Sequence, residues 1–389
     1  MNRITRILAL LLALMTVFSA FALTGCDDTD KENGAKETEA ADEKDDKKES
    51  LRAGFFGVDW INAADFGLVG DGKTLNDKKM ADYIKYYCET PIYFPAGTYC
   101  FAESLHFPDD MYIELDPKAE LKCVAEEPLD FFITVRKDAS DWCELDGYAR
   151  AYIRGGMINC NYKAKTGLAV SQCYQPKFEG FMIKNVLEKG IVTWYNTNNL
   201  KDGAFVGRDL VIYNDKALPG TYGIYDPHAD TNVYGTSIVN FETAIYTHGG
   251  RFYECTAWNT KTDCLKNASF AEVAKGTQTL FDNCSIDTVR YGFKIADGAS
   301  CQIMNMTWIT NNVFYTAKLQ MEYPRTIFYC QKPAKARVYA VNLSIPAESC
   351  LDFSNGPMPN SIFLNTRVPE GFNTSKMKYF RNDTANLGK

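Results

Sequence analysis

The sequence predicts an all-β solenoid of parallel strands with one short N-terminal α-helix. Two observations carry this prediction. From about Leu51, short runs rich in Val, Ile, Tyr, Phe and Thr alternate with Gly, Asn and Asp, and few stretches show helical periodicity. Within that body the triplets Gly190-Ile191-Val192, Gly223-Ile224-Tyr225, Ala244-Ile245-Tyr246, Cys264-Leu265-Lys266 and Gly292-Phe293-Lys294 recur at spacings of 33, 21, 20 and 28 residues. Each triplet is a small residue followed by an apolar one. The drift in spacing suits stacked coils with loops of variable length.

The chain begins with a basic start, Arg3 and Arg6, and an apolar run from Ile7 to about Leu23. The run ends in Leu23-Thr24-Gly25-Cys26, which resembles a bacterial lipoprotein box. Residues 1–25 are therefore expected to be a signal peptide, with Cys26 lipidated and the mature protein exported and surface-anchored. No other apolar run is long enough to span a bilayer. Residues 27–50 hold 11 acids and 5 lysines and no large apolar side chain, so 26–50 reads as an acidic disordered linker.

The whole chain has 389 residues, 46% of them hydrophobic, and a formal net charge of −7. That composition excludes a wholly disordered or collagen-like protein. Past the linker, 35 basic and 38 acidic residues remain, a net of −3. The folded part is thus near neutral, which argues against a nucleic-acid partner and leaves room for a local basic stripe.

The best helical stretch is Asp77 to Cys88, with Asn76 or Asp77 as N-cap and Met80, Tyr83, Ile84 and Tyr87 on one face. It follows Ala64-Asp65-Phe66-Gly67-Leu68-Val69-Gly70-Asp71-Gly72-Lys73-Thr74 and precedes Ile92-Tyr93-Phe94-Pro95-Ala96-Gly97-Thr98-Tyr99. This order resembles the N-terminal region of the pectate-lyase superfamily, although Leu75-Asn76-Asp77 stands where the family usually has paired Asp. Met111 to Leu115 and Ala119 to Leu121 match its next turns. The resemblance implies a single-stranded right-handed parallel β-helix over 51–372, with 373–389 as a tail. It does not select a chemistry, because lyases, hydrolases, epimerases and phage tailspikes share the region.

A second column of strands is expected upstream of each triplet, at Met182-Ile183-Lys184, Leu210-Val211-Ile212, Ser237-Ile238-Val239, Cys255-Thr256-Ala257 and Cys284-Ser285-Ile286. The 12 cysteines after Cys26 form either disulfides or buried thiols, and none has metal-ligand spacing.

The inside of such a solenoid is packed, so function belongs on an outer sheet face. Alternation along the strands puts Val192, Tyr225, Tyr246, Lys266 and Lys294 in one outward row. Two residues on, Trp194, Pro227, His248, Ala268 and Ala296 form the next. Aromatic rings stack on sugars, and cations pair with uronate carboxylates. Expected substrate-binding residues are Trp194, Tyr225, Tyr246, Arg251 and Lys294. Expected catalytic residues are Asp226, Asp230, His248, Asp263 and Lys266, drawn from the polar stretch Tyr222 to Asp263. The expected partner is an acidic polysaccharide such as pectin, processed by a lyase or a glycoside hydrolase. The alternative is a non-catalytic surface glycan-binding or adhesion solenoid. No metal site stands out, and Ca²⁺ enters only for a lyase, with Asp226, Asp230, Asp263 and Asp287 as its carboxylates.

Overall fold

The computed structural model describes residues 59–108, 111–136, 151–171, 173–194, 204–260, 267–276, 278–309, 326–330, 332, 335–343, 351–352 and 360–367. The segments expected to be signal peptide, linker and tail lie outside them, with Cys26, as do Asp263 and Lys266.

The strands form three parallel sheets, and every described pairing joins one coil to the next. The first sheet runs from Ile61–Asn62 through Tyr152–Arg154 and Thr279–Asp282 to Ile362–Leu364. The second runs from Asp71–Leu75 through Met182–Lys184 to Thr307–Ile309. The third runs from Leu105–Pro108 through Ala164–Ser171 to Leu351–Asp352. Two long elements, Val211–Tyr234 and Ser237–Tyr253, bend through more than one sheet and pair along their length. The chain is therefore a right-handed parallel β-helix with three strands per coil, where at least two were expected.

One apolar row from each sheet fills the interior. The first sheet contributes Phe252, Phe281 and Ile303, the second Ile183, Ile212 and Ile238, and the third Ile191, Ile224, Ile245 and Phe293, all buried. Phe252 stacks on Phe281 at 5.2 Å between ring centroids. Each such side chain removed from water contributes roughly 1.5–3 kcal/mol.

Corners set the repeat. Between the first and second sheets, seven successive coils each place one residue at positive φ: Gly180 (62°), Asp209 (52°), Gly235 (59°), Glu254 (55°), Asn283 (52°), Asn305 (53°) and Asn342 (56°). Gly, Asn and Asp tolerate that conformation best. The N–H of each donates to a carbonyl one coil on, as Asp209 to Tyr234 at 2.9 Å and Asn283 to Met304 at 3.0 Å. The residue after the corner points inward. This shifts the strand cores at Val211-Ile212-Tyr213, Thr256-Ala257-Trp258 and Ser285-Ile286-Asp287 one place later than expected. Cys255 and Cys284 occupy that inward corner position as buried thiols.

The small residues of the triplets mark a different crowding. A Cβ on Gly223 would press on Ile238 and lie 2.7 Å from the Ala244 carbonyl oxygen. Gly223→Ala is expected to destabilise the protein by about 1–3 kcal/mol, read as a lower urea midpoint with an unchanged m-value.

The fourth triplet is corrected. The strand pairing with Ala244-Ile245-Tyr246 is Ser269–Val273, with Ala271 opposite Ile245 and Glu272 opposite Tyr246. Cys264-Leu265-Lys266 lies outside the described residues. In this coil Phe270-Ala271 stands for small-apolar. The bulk has moved one place along the chain while the filled volume is kept, so the size pattern hides the repeat. Ala268, expected outward, is buried, and Ala274 takes its place beside His248.

The helix spans Asp77–Tyr87 and covers the first coils with Met80 and Tyr83. Tyr87 is nearly half exposed, and Asn76 makes no side-chain cap. Its amide instead ties the preceding turn, with Oδ1 accepting from the Val69 N–H at 2.7 Å.

Candidate functional site: the outer face of the third sheet

Strand alternation and register build this face from one side chain per coil. The outward row is Val192, Tyr225, Tyr246, Glu272, Lys294 and Tyr329. A second outward row precedes it, formed by Lys189, Tyr222, Thr243, Ser269 and Tyr291. The rows are three residues apart because two consecutive residues, such as Gly223 and Ile224, face inward between them.

Its lower half is aromatic. Tyr225 and Tyr246 stack at 4.5 Å with 9° between their planes. Tyr222 stands edge-on to both, at 5.0 and 6.0 Å. The Lys189 ammonium lies 5.4 Å from the Tyr225 centroid. Burial, then the Glu272 charge, pushes the Tyr222 phenol up to about 12.

The upper half is charged. Lys294 Nζ lies 2.8 Å from Glu272 Oε1, which also accepts from the Thr243 hydroxyl at 3.0 Å. Both side chains are about a quarter exposed, so water and solutes reach the pair. The Lys294 ammonium also lies 5.2 Å from the Tyr291 centroid. Together Tyr246, Glu272, Tyr291, Lys294 and Tyr329 line a groove of about 410 Å³.

At the groove edge His248 Nε2 lies 3.1 Å from the Tyr246 hydroxyl. Burial, then the charge of His228, holds the His248 imidazole below its ordinary value. It is therefore neutral at pH 7 and able to accept a proton.

Of the residues named from sequence, the structure brings Tyr225, Tyr246, His248 and Lys294 together on this face. Asp226 is not on it. Its side chain is fully buried in the next inward position, accepting from Thr193 Oγ1 at 2.6 Å and Thr247 Oγ1 at 3.4 Å. Burial pushes its carboxyl up to about 7. Asp230 is exposed at the corner beyond, with φ of 78°. Arg251 is exposed on the first sheet, next to Asn232 and Leu280 in register. The chain has turned a corner between His248 and Arg251, which moves Arg251 to another face. Trp194 ends the strand Lys189–Trp194, and its side chain lies outside the described residues.

Glu272, Tyr222, Tyr291 and Tyr329 were not expected. Glu272 was hidden by the register shift in its coil, and Tyr222 and Tyr291 by the doubled inward step. Among the described residues no three or more His, Cys, Asp or Glu side chains cluster to hold a metal. Of the four carboxylates considered for Ca²⁺, Asp226 is buried, Asp230 is at a corner and Asp287 lies on the second sheet.

Comparison with known proteins agrees with this architecture. Residues 60–125 match the family model described as rhamnogalacturonase A/epimerase, pectate lyase-like. The chain shares its fold with the pectate-lyase superfamily. The catalytic unit of a GH87 α-1,3-glucanase from Streptomyces thermodiastaticus is similar at 10% identity and a TM-score of 0.50, covering 83% of this chain and 68% of that one. A family 28 exopolygalacturonase from Yersinia enterocolitica is similar at 12% identity and a TM-score of 0.40, over 82% and 78%. The A-module of a mannuronan C-5 epimerase from Azotobacter vinelandii is similar at 13% identity and a TM-score of 0.40, over 79% and 95%. At these identities the likeness concerns fold alone. No curated protein sequence matches the chain.

Proposed function

We propose that the outer face of the third sheet binds an acidic polysaccharide and removes a proton α to a uronate carboxylate, as a lyase does. The observation that carries this is the juxtaposition, on one sheet face, of a tyrosine platform, the Lys294 cation and the neutral His248 held by Tyr246. The platform offers ring edges and faces to sugar rings. Lys294 is placed to exchange Glu272 for a substrate carboxylate and to steady the charge that develops on proton removal. His248 takes the C5 proton, the C4–O4 bond breaks as the C4–C5 double bond forms, water protonates the departing oxygen, and the Tyr246 hydroxyl orients the imidazole.

Elimination fits the described residues better than hydrolysis. A glycosidase needs two carboxyl groups across the scissile bond. Among the described residues lining the groove, Glu272 is the one carboxylate. The product would be an unsaturated uronate, seen as new ultraviolet absorbance when the protein acts on pectate, alginate or glucuronan. Reducing ends without that absorbance would indicate hydrolysis, and binding without either product would indicate a glycan-binding protein.

The platform has its own test. Tyr225→Ala/Tyr246→Ala is expected to weaken polymer binding by about fivefold to 150-fold in calorimetry, at roughly 0.5–1.5 kcal/mol for each aromatic ring removed. Unchanged affinity would remove the platform from the site.

A further inference from the structure

The coil-to-coil register brings two pairs of cysteines face to face. Cys123 and Cys160 directly follow the paired residues Lys122 and Asn159. Cys255 and Cys284 directly precede the paired residues Thr256 and Ser285. All four are buried thiols. The second pair belongs to the coils that build the groove.

Cys255 and Cys284 each take the inward position just after a corner. The backbone between them is paired, with the Ser285 N–H donating to the Cys255 carbonyl at 2.9 Å. Neighbouring strands lie about 4.8 Å apart, inside the roughly 4.4–6.8 Å between Cα atoms that a disulfide spans. The Cys284 sulfur leans across this gap, 3.5 Å from the carbonyl oxygen of Phe252 on the coil of Cys255. Burial, then the adjoining Cys255 thiol, pushes the Cys284 thiol well up. Cys284 is therefore protonated in the folded protein, and neither cysteine has exposed surface. A shielded, protonated thiol is a poor nucleophile. Thiol exchange at this pair must come before the coil closes.

We propose that Cys255 and Cys284 form a disulfide as their coils close, with a small-molecule disulfide as the oxidant. One cysteine thiolate attacks the oxidant, whose S–S bond breaks and releases one thiol. The other thiolate attacks the mixed disulfide, which forms the Cys255–Cys284 bond and releases the second thiol. The two cysteine protons end on the released thiols, and the two electrons given up by the cysteines reduce the oxidant. The bond makes one whole coil a ring. The strand Ser269–Val273, with Glu272, lies inside that ring, and the strand Tyr291–Ile295, with Lys294, follows it. The two coils that hold the Glu272–Lys294 pair are thus fastened together. Formation of the bond does not depend on what the groove binds.

The test is synthesis of the full chain in a cell-free system buffered with reduced or with oxidised glutathione, followed by mass spectrometry of unreduced peptides. The peptides holding Cys255 and Cys284 are expected to be joined in the oxidised product and separate in the reduced one. The joined form is expected to have a higher urea midpoint, with no such gain in Cys255→Ala/Cys284→Ala. Reduced protein that has already folded is expected to keep both thiols when mixed with oxidised glutathione. Four results would overturn the proposal: the two peptides unjoined in the oxidised product, either one joined instead to another cysteine, a joined form with an unchanged or lower midpoint, or folded protein linking as readily as the nascent chain.

Discussion

Replacing His248 with Gln is expected to lower turnover of an acidic glycan by roughly 10²- to 10⁴-fold, the usual contribution of a positioned general base. Glutamine keeps the size and a hydrogen bond to Tyr246 but cannot carry a proton. Glycan affinity should therefore change little while kcat collapses. Tyr246→Phe should give a smaller loss in kcat, since it removes the hydroxyl 3.1 Å from Nε2 and leaves the imidazole in place. The acid limb of the pH–rate profile should have its midpoint below 6.5, because burial and His228 favour the neutral ring. Wild-type kcat in His248→Gln, on any substrate that gives product, would remove His248 from the chemistry.

The second large effect is on stability. Asp226 is fully buried, and its carboxyl is pushed up from 3.8 to about 7 in the folded protein. Between about pH 4 and pH 7 the folded state keeps a proton there that the unfolded chain has released. Stability contributed by this site is therefore present below about pH 4, is lost as pH rises to about 7, and stays level above. The change across the window is roughly 4 kcal/mol. Asp226→Asn keeps the shape and the Thr193 and Thr247 contacts but cannot ionise. Its urea midpoint should lack that slope and should exceed the wild type's at pH 8. Parallel pH profiles for the two proteins would show that folding leaves the Asp226 carboxyl at its unfolded value.

The tie through Asp226 reaches the edge of the groove that carries His248. Thr247 Oγ1 donates to Asp226 and also accepts from the backbone N–H groups of Gly249 and Gly250, at 3.2 and 2.9 Å. These bonds fix the turn that carries His248. An acid placed here acts on the site by holding backbone, since its oxygens are out of reach of any solute.

The solenoid was legible in the sequence because small-apolar triplets mark the third sheet in four of the five coils named. It faltered where Phe270-Ala271 reversed the sizes, since a core conserves volume and not the position of the bulk. The other corner carries a conformation and not a letter. Gly180, Asp209, Glu254 and Asn283 all adopt positive φ there, so no single residue type marks it. Tyr225, Tyr246 and Lys294 could be placed on one face by simple alternation. The same rule already turned Asp226 inward, one step after Tyr225, and chemical interest in its carboxyl had obscured this. Arg251 shows where alternation stops: it does not carry around a corner. Glu272 followed only from the pairing of Ser269–Val273 with its neighbours.

The coil-to-coil pairing also shapes how the molecule comes apart. Each coil leans only on the one before and the one after, so cooperativity travels along a line. A heavier lesion in the middle of that line, such as Gly223→Val, would divide the stack into two blocks that melt separately. A single-transition analysis would then misstate the stability of both. The groove straddles several coils, so fraying from the far end would erase Tyr329 and Lys294 while Tyr225 and its neighbours still stood. Function and far-ultraviolet signal would then fail at different denaturant concentrations, and the gap between them would measure how tightly neighbouring coils are coupled.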